Sequence, residues 1–150
     1  MRAVIQRVSE ASVCIAGTIK SAIGNGILIL IGIEEDDKQD DLIWLSGKIS
    51  RLRIFNDLHG IMNLSLNEIG GDALVISQFT LHASTKKGNR PSYIKAAKPE
   101  IAIPVYNMFL HQLQQDITGQ VCSGEFGAEM KVSLVNDGPV TIIIDTRNKE

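Results

Sequence analysis

The 150-residue chain is 44% hydrophobic and 21% charged, with a formal net charge of −2. That size suits one domain able to bury about two thirds of its unfolded surface, in an ordinary globular composition. The slight acidity excludes a generic nucleic-acid coat protein, and the longest apolar run, Ile27–Ile33, is too short to span a bilayer.

The opening residues Met1–Arg7 turn polar before a signal-peptide core could form, so the cytoplasm is the expected location and no membrane partner is expected. Arg2–Val8 and Ala11–Ile15 read as two strands on their β-branched content. Ala16-Gly17 reads as a turn into a third strand, Thr18–Ile23. After Gly24-Asn25-Gly26 comes Ile27–Ile33, apolar on both faces and therefore a buried central strand. The acidic run Glu34–Asp41 would open a helix, where the dipole favours negative charge. Leu42, Leu45, Ile49 and Leu52 recur at helical spacing, so the helix covers a sheet face and ends near Phe55. Trp44 and Met62 read as packing residues.

Asn56–Gly60 and Gly70-Gly71 are turns, and Asn63–Leu66 between them is too short to type. Ala73–Phe79 is a second buried strand that runs into Thr80 and a basic loop. Pro99 opens a second helix with Tyr106, Phe109, Leu110, Leu113 and Ile117 as its apolar stripe. Pro104 means that this helix starts at Ile103 or loses one hydrogen bond in its first turn. Three strands follow: Gln120–Ser123, Met130–Val135 and Val140–Asp145. The expected fold is α/β, a mixed β-sheet with two main helices in the order ββ(βα)2βββ, one compact domain over residues 1–150.

Asn136-Asp137-Gly138 between the last two strands reads as a hairpin turn. Pro139 fixes φ there and removes a donor. Taken alone, the six residues 136–141 suggest an ordinary turn with a trans proline, although an X-Pro bond costs only about 0.5–1 kcal/mol to hold cis.

Charge is unevenly spread. Six of the seventeen acids fall in Glu34–Asp41, whereas Ala73–Pro99 holds no acid and carries Lys86, Lys87, Arg90, Lys95 and Lys98. A local basic surface on an acidic protein suits a phosphate-bearing ligand held at one place.

Ligands of α/β sheets gather at the carboxyl ends of strands, and Ser77-Gln78-Phe79-Thr80 is such an end. A Ser/His/Asp machine would need one of His59, His82 and His111, none of which stands in a motif. Paired carboxylates and phosphate loops are no better supported. Cys14 and Cys122 lie far apart with no CxxC pattern and read as reduced structural thiols, so neither a metal nor a cofactor is expected. A substrate whose bond is already labile, such as an aminoacyl ester of RNA, could be cleaved by oriented backbone dipoles and a positioned water.

Six motifs in order, MRAVIQRV (Met1–Val8), MNLSL (Met62–Leu66), SQFTL (Ser77–Leu81), KKGNRPS (Lys86–Ser92), FGAEM (Phe126–Met130) and NDGPVT (Asn136–Thr141), resemble the D-aminoacyl-tRNA deacylases of the bacterial and eukaryotic type. The resemblance spans essentially the whole chain. It implies hydrolysis of the ester joining a D-amino acid, or misattached glycine, to the terminal ribose of tRNA. It also implies a homodimer whose Gly138-Pro139 bond is cis and enters the partner's site, rejecting L-aminoacyl-tRNA. By the same resemblance Arg7 braces that motif, and Phe126 and Met130 lie near the pocket. Ser77, Gln78, Phe79 and Thr80 line the catalytic site, with Thr80 a positioning residue first, since main-chain groups and the ribose 2′-OH are thought to carry the chemistry. Lys86, Lys87 and Arg90 are the expected tRNA contacts. Two rivals remain: a relative that edits L-alanyl-tRNA with a trans Gly-Pro, and a catalytically silent dimeric tRNA-binding module.

Overall fold

A computed structural model describes residues 1–149. Its elements in chain order are β1 (Arg2–Ile15), β2 (Thr18–Ile23), β3 (Gly26–Gly32), α1 (Gln39–Ser50), β4 (Phe55–Asn56), β5 (Met62–Leu64), α2 (Leu66–Ile69), β6 (Asp72–Ser77), a 3-10 turn (Phe79–His82), α3 (Pro99–Asp116), β7 (Val121–Ser123) and β8 (Lys131–Asp145). Six strands form one mixed sheet. Along it run β2, β1, β3, β6 and β7, and β8 lies antiparallel to β1; β3, β6 and β7 are mutually parallel.

β1 is one strand where two were expected. Its first half pairs β3, from Arg2 opposite Gly32 to Val8 opposite Gly26, and its second half pairs β2. Against β8 its register slips between Gln6 and Val8 and again between Val8 and Glu10. A slip of one residue exchanges the faces of a strand. Accordingly Ala3 and Ile5 join the core beneath the helices, whereas Val8, Ala11 and Val13 join the core on the other side.

The same slip corrects the expected C-terminal hairpin. Lys131–Asn136 and Thr141–Asp145 do not pair with each other; both pair with β1 as parts of one strand. Gln6 faces Thr141 and Val8 faces Asn136, so residues 137–140 bulge out opposite Arg7 alone. A pairing partner long enough for both segments overrides the local Asn-Asp-Gly turn signal.

The sheet is covered on both faces, which explains the unbroken apolar runs of β3 and β6. Ile27, Ile29, Ile31, Ala73 and Val75 meet Leu42, Leu45 and Ile49 of α1 and Tyr106, Phe109 and Leu113 of α3. On the opposite face Leu28, Leu74 and Ile76 meet Val13, Ile23, Met130 and Val132. Each such side chain, fully buried, is worth about 1.5–3 kcal/mol.

Other boundaries moved for local reasons. The acids Glu34–Asp37 precede α1, because Glu34 and Asp37 bind elsewhere: Glu34 bridges to Arg147 at 3.1 Å and Asp37 accepts from the Met1 amine at 2.5 Å. Only Asp40 and Asp41 sit in its first turn, and the helix stops at Ser50, so Phe55 falls in β4. Ser65 and Glu68 cap α2 reciprocally, giving form to a stretch that composition left untyped. β6 ends at Ser77, so Phe79 belongs to the 3-10 turn. α3 begins at Pro99 and carries Pro104 within it, the version that forfeits a hydrogen bond. Trp44 packs against the main core as expected, but Met62 is exposed. No helix among the described residues is long and apolar enough to cross a membrane.

Candidate active site

At the carboxyl end of β6 a cavity of about 290 Å³ opens. Ile31, Ile33 and Ile76 form its apolar base, and Ser77, Gln78 and Phe79 bring the strand exit to its rim. Phe126, Ala128 and Met130 close it from the segment before β8. Five of the expected site residues, Ser77, Gln78, Phe79, Phe126 and Met130, therefore meet at one place. Among the described residues no Asp, Glu, His, Lys, Arg or Cys lines it.

The support below is rigid. The Tyr106 hydroxyl donates to the Val75 carbonyl at 2.9 Å, and its ring meets Phe126 edge-on at 5.9 Å. Burial pushes the Tyr106 phenol up to about 12, against a smaller opposing hydrogen bond with Ser123. It stays neutral, a strut rather than an acid. The Gln78 N–H donates to the Ile31 carbonyl at 2.7 Å, which fastens the rim to β3.

Thr80 lies in the 3-10 turn beside the cavity but does not line it; the Gln78 side-chain amide donates to its Oγ1 at 2.5 Å. None of the histidines can serve it. His59 is exposed in the β4–β5 turn, and the exposed His111 contacts Gln115 at 3.0 Å. His82 is 4% exposed with Nδ1 3.7 Å from Glu34, and its Nε2 has no hydrogen-bond partner among the described residues. Its ring fits because residue 32 is glycine: a Cβ there would stand 2.9 Å from the imidazole. His82 thus anchors the turn carrying Phe79 and Thr80, a role its sequence position did not reveal.

The remaining expected residues gather at the β8 bulge. Gly138-Pro139 is cis, with Gly138 at φ +145°, a region that L side chains rarely adopt. Arg7, 6% exposed, donates from Nε to the Asp137 carbonyl at 2.7 Å and from Nη1 to the Ile54 carbonyl at 2.6 Å. Asn136 closes the other side, accepting from the Val140 N–H at 2.8 Å and donating to Thr141 Oγ1 at 3.2 Å. The Asn136 motif alone did not reveal this bracing, which depends on the fold of the bulge. Asp137, Gly138 and Pro139 are exposed.

Cavity and bulge do not meet within one chain. Arg7 is level with Ala73 and Ser77 lies further along β6, three strands from β8. At about 3.3 Å per residue and 4.8 Å per strand, roughly 20 Å of sheet separates them.

Lys86, Lys87 and Arg90 are exposed on the loop after the 3-10 turn. Reciprocal bonds between Ser84 and Ser92, 2.8 and 3.0 Å, pinch its base. Cys14 and Cys122 are free thiols, and burial, then Asp72, raises the Cys122 thiol.

Residues 4–145 match the family described as D-Tyr-tRNA(Tyr) deacylase. A D-aminoacyl-tRNA deacylase of Bacteroides fragilis (strain YCH46) is 65% identical over 150 residues, covering all of both chains. One from Bacteroides thetaiotaomicron is 63% identical with the same coverage. Among solved structures, one of a c-Myc DNA unwinding element binding protein superposes with a TM-score of 0.92 at 42% identity, covering 97% of this chain and 98% of that one. A structure described as a probable eukaryotic D-amino acid tRNA deacylase, 17% identical, shares the fold with a TM-score of 0.82 over 95% of this chain and 97% of that one. The chain belongs to the D-Tyr-tRNA(Tyr) deacylase family.

Proposed function

We infer that this protein is a D-aminoacyl-tRNA deacylase, a hydrolase that cleaves the ester between a D-amino acid and the terminal ribose of tRNA. The products are free tRNA and the amino acid. Family membership supports the reaction. The observation that carries the chemistry is the cavity without an ionisable side chain. Such a site suits an ester that is already activated, for which holding the carbonyl, the ribose and a water in register does most of the work. In the 3-10 turn Leu81 is the first residue to donate within the turn, to the Gln78 carbonyl at 3.2 Å. The N–H groups of Phe79 and Thr80 precede that bond and are the natural donors for the oxyanion of the tetrahedral intermediate. Thr80 Oγ1, held by Gln78 and lacking a base, is a positioning group and not a nucleophile.

The selectivity half of the reaction is assigned to the bulge. Gly138 and Pro139 would receive the amino group of the substrate and leave no room for an L side chain, with Arg7 holding the wall. Glycine offers no side chain to reject, so glycyl-tRNA is a substrate too. The bulge is exposed and far from its own chain's cavity, which favours a homodimer in which each copy completes the other's site. A two-fold interface of that kind is self-complementary. β8 pairs on one edge only and exposes Val135 and Ile143, surface that a second copy would cover. Lys86, Lys87 and Arg90 would hold the tRNA phosphates. A tRNA substrate supports a cytoplasmic location.

The test is deacylation of D-Tyr-tRNA, L-Tyr-tRNA, glycyl-tRNA and L-alanyl-tRNA by the purified protein. Hydrolysis of the first and third with the second spared is expected. Ready hydrolysis of L-alanyl-tRNA would favour the rival editing activity, and tRNA binding without turnover would favour a silent module.

A further inference from the structure

Phe79 and Tyr93 form an exposed aromatic pair at the cavity's mouth. Their centroids are 5.0 Å apart and their planes 78° apart, with Phe79 55% and Tyr93 38% exposed. Phe79 lines the cavity and Tyr93 does not, so Tyr93 extends the aromatic surface outward from the place where the ester would sit. Nothing else in the site already described uses Tyr93.

Its position is built. The Ser84–Ser92 bridge fixes the residue before it, and its own carbonyl accepts from the Ala96 N–H at 3.0 Å. A ring held in this way loses little freedom when a ligand stacks on it. The surroundings are also chemically one-sided. Lys86, Lys87 and Arg90 precede Tyr93 in the same acid-free segment, whereas after it Ile94 and Lys95 share a cleft with Glu34, Glu35, Asp36 and Arg147, and Arg147 already bridges Glu34 and Asp36. A polyanion leaving the cavity past Tyr93 is drawn toward Arg90 and Lys87, whose segment carries no acid to offset them. An exposed aromatic face combined with a positive flank is the composition that binds unpaired nucleic acid, because every base has a face to stack while the phosphates follow the charge.

Building on the tRNA substrate proposed above, we propose that Tyr93 is a stacking platform for the unpaired 3′ strand of tRNA, taking a base that precedes the esterified nucleotide. It also sets the strand's path toward Lys86–Arg90. Tyr93 is thus a specificity residue for the single-stranded end, distinct from the groups that touch the ester.

The test pairs a protein variant with an RNA variant and reads binding, not turnover, so it stands or falls separately from the deacylase reading. Unacylated tRNA with an intact 3′ end, and the same tRNA trimmed of its unpaired 3′ nucleotides, are titrated against the wild-type protein, Tyr93→Ala and Tyr93→Phe. Tyr93→Ala should weaken binding of intact tRNA by about 5- to 100-fold, the range for loss of one base–aromatic stack. It should leave trimmed tRNA bound as by wild type, and Tyr93→Phe should behave as wild type with both. Equal weakening of the two RNAs, or none, overturns the proposal. So does a loss with Tyr93→Phe as large as with Tyr93→Ala, since the ring and not the hydroxyl is the contact. If the wild-type protein binds intact and trimmed tRNA equally, the 3′ strand has no platform and the proposal also fails.

Discussion

The cavity at the end of β6 and the bulge in β8 are opposite in kind. The first is concave, apolar at its base and walled by side chains from four parts of the chain. The second is convex, exposed, and built almost wholly of backbone held from behind by Arg7 and Asn136. An apolar hollow without charged groups sets few demands on the side chain that enters it. A backbone loop gripped by a buried guanidinium cannot retreat. The contrast suits a division of labour in which the cavity accepts many amino acids and the bulge refuses one configuration.

Breaking the convex partner should have the largest effect. Gly138→Ala places a Cβ 2.9 Å from Arg7 Nη2 and from Val140 Cγ2 at a φ hostile to L residues. Displacing the wall by an ångström should lower D-aminoacyl-tRNA deacylation on the order of 100-fold. Discrimination between D- and L-Tyr-tRNA should shrink with it, read by parallel deacylation assays. Unchanged rate and selectivity would mean that the bulge is scenery.

Arg7→Ala tests the grip itself. It leaves the carbonyls of Ile54 and Asp137 without their donor, at about 1–3 kcal/mol for each buried one. A drop of about 2–4 kcal/mol in unfolding free energy, read from denaturant midpoints, should accompany the loss of selectivity. Arg7→Lys should not restore it, because one ammonium cannot reach two carbonyls in the geometry of a planar fork.

A weaker effect is expected at the rim. Replacing Lys86, Lys87 and Arg90 together with Ala should reduce the slope of log affinity for tRNA against log salt by about 2–3. An unaltered slope would show that the loop faces away from the RNA. The smallest effect should follow Thr80→Ala, which removes the acceptor of the Gln78 amide but no nucleophile. A loss of less than about tenfold in kcat is expected, whereas removing a true nucleophile costs several orders of magnitude. Trapping a covalent aminoacyl adduct on Thr80 would contradict this reading.

Legibility differed between the two regions for a physical reason. The β3 and β6 strands and the α3 stripe announced themselves by apolar pattern, since both faces of the sheet are covered. SQFTL lies where a buried strand ends, so Ser77, Gln78 and Phe79 could be placed at a ligand site by position alone. The bulge could not. Asn136-Asp137-Gly138 carries a hairpin signal, and only β1, long enough to pair on both sides of it, turns the hairpin into one interrupted strand. Long-range pairing of that kind leaves no local mark. The same holds for His82 and Gly32, whose contact joins residues fifty apart, and for Glu34 and Asp37, drawn out of a helix start by Arg147 and the Met1 amine. The arginine at position 7 and the cis Gly138-Pro139 bond were legible only through the family motifs.

The central claim is that cavity and bulge act on one substrate across two copies of the chain. Mixing two inactive variants tests it most directly: Gly138→Ala, which spoils the bulge, and Ala128→Trp, which fills the cavity. Subunits exchanged at equal amounts give half mixed dimers, each with one intact site, so about a quarter of wild-type deacylation should return. A mixture no more active than its separate components would contradict the shared site and require each chain to work alone.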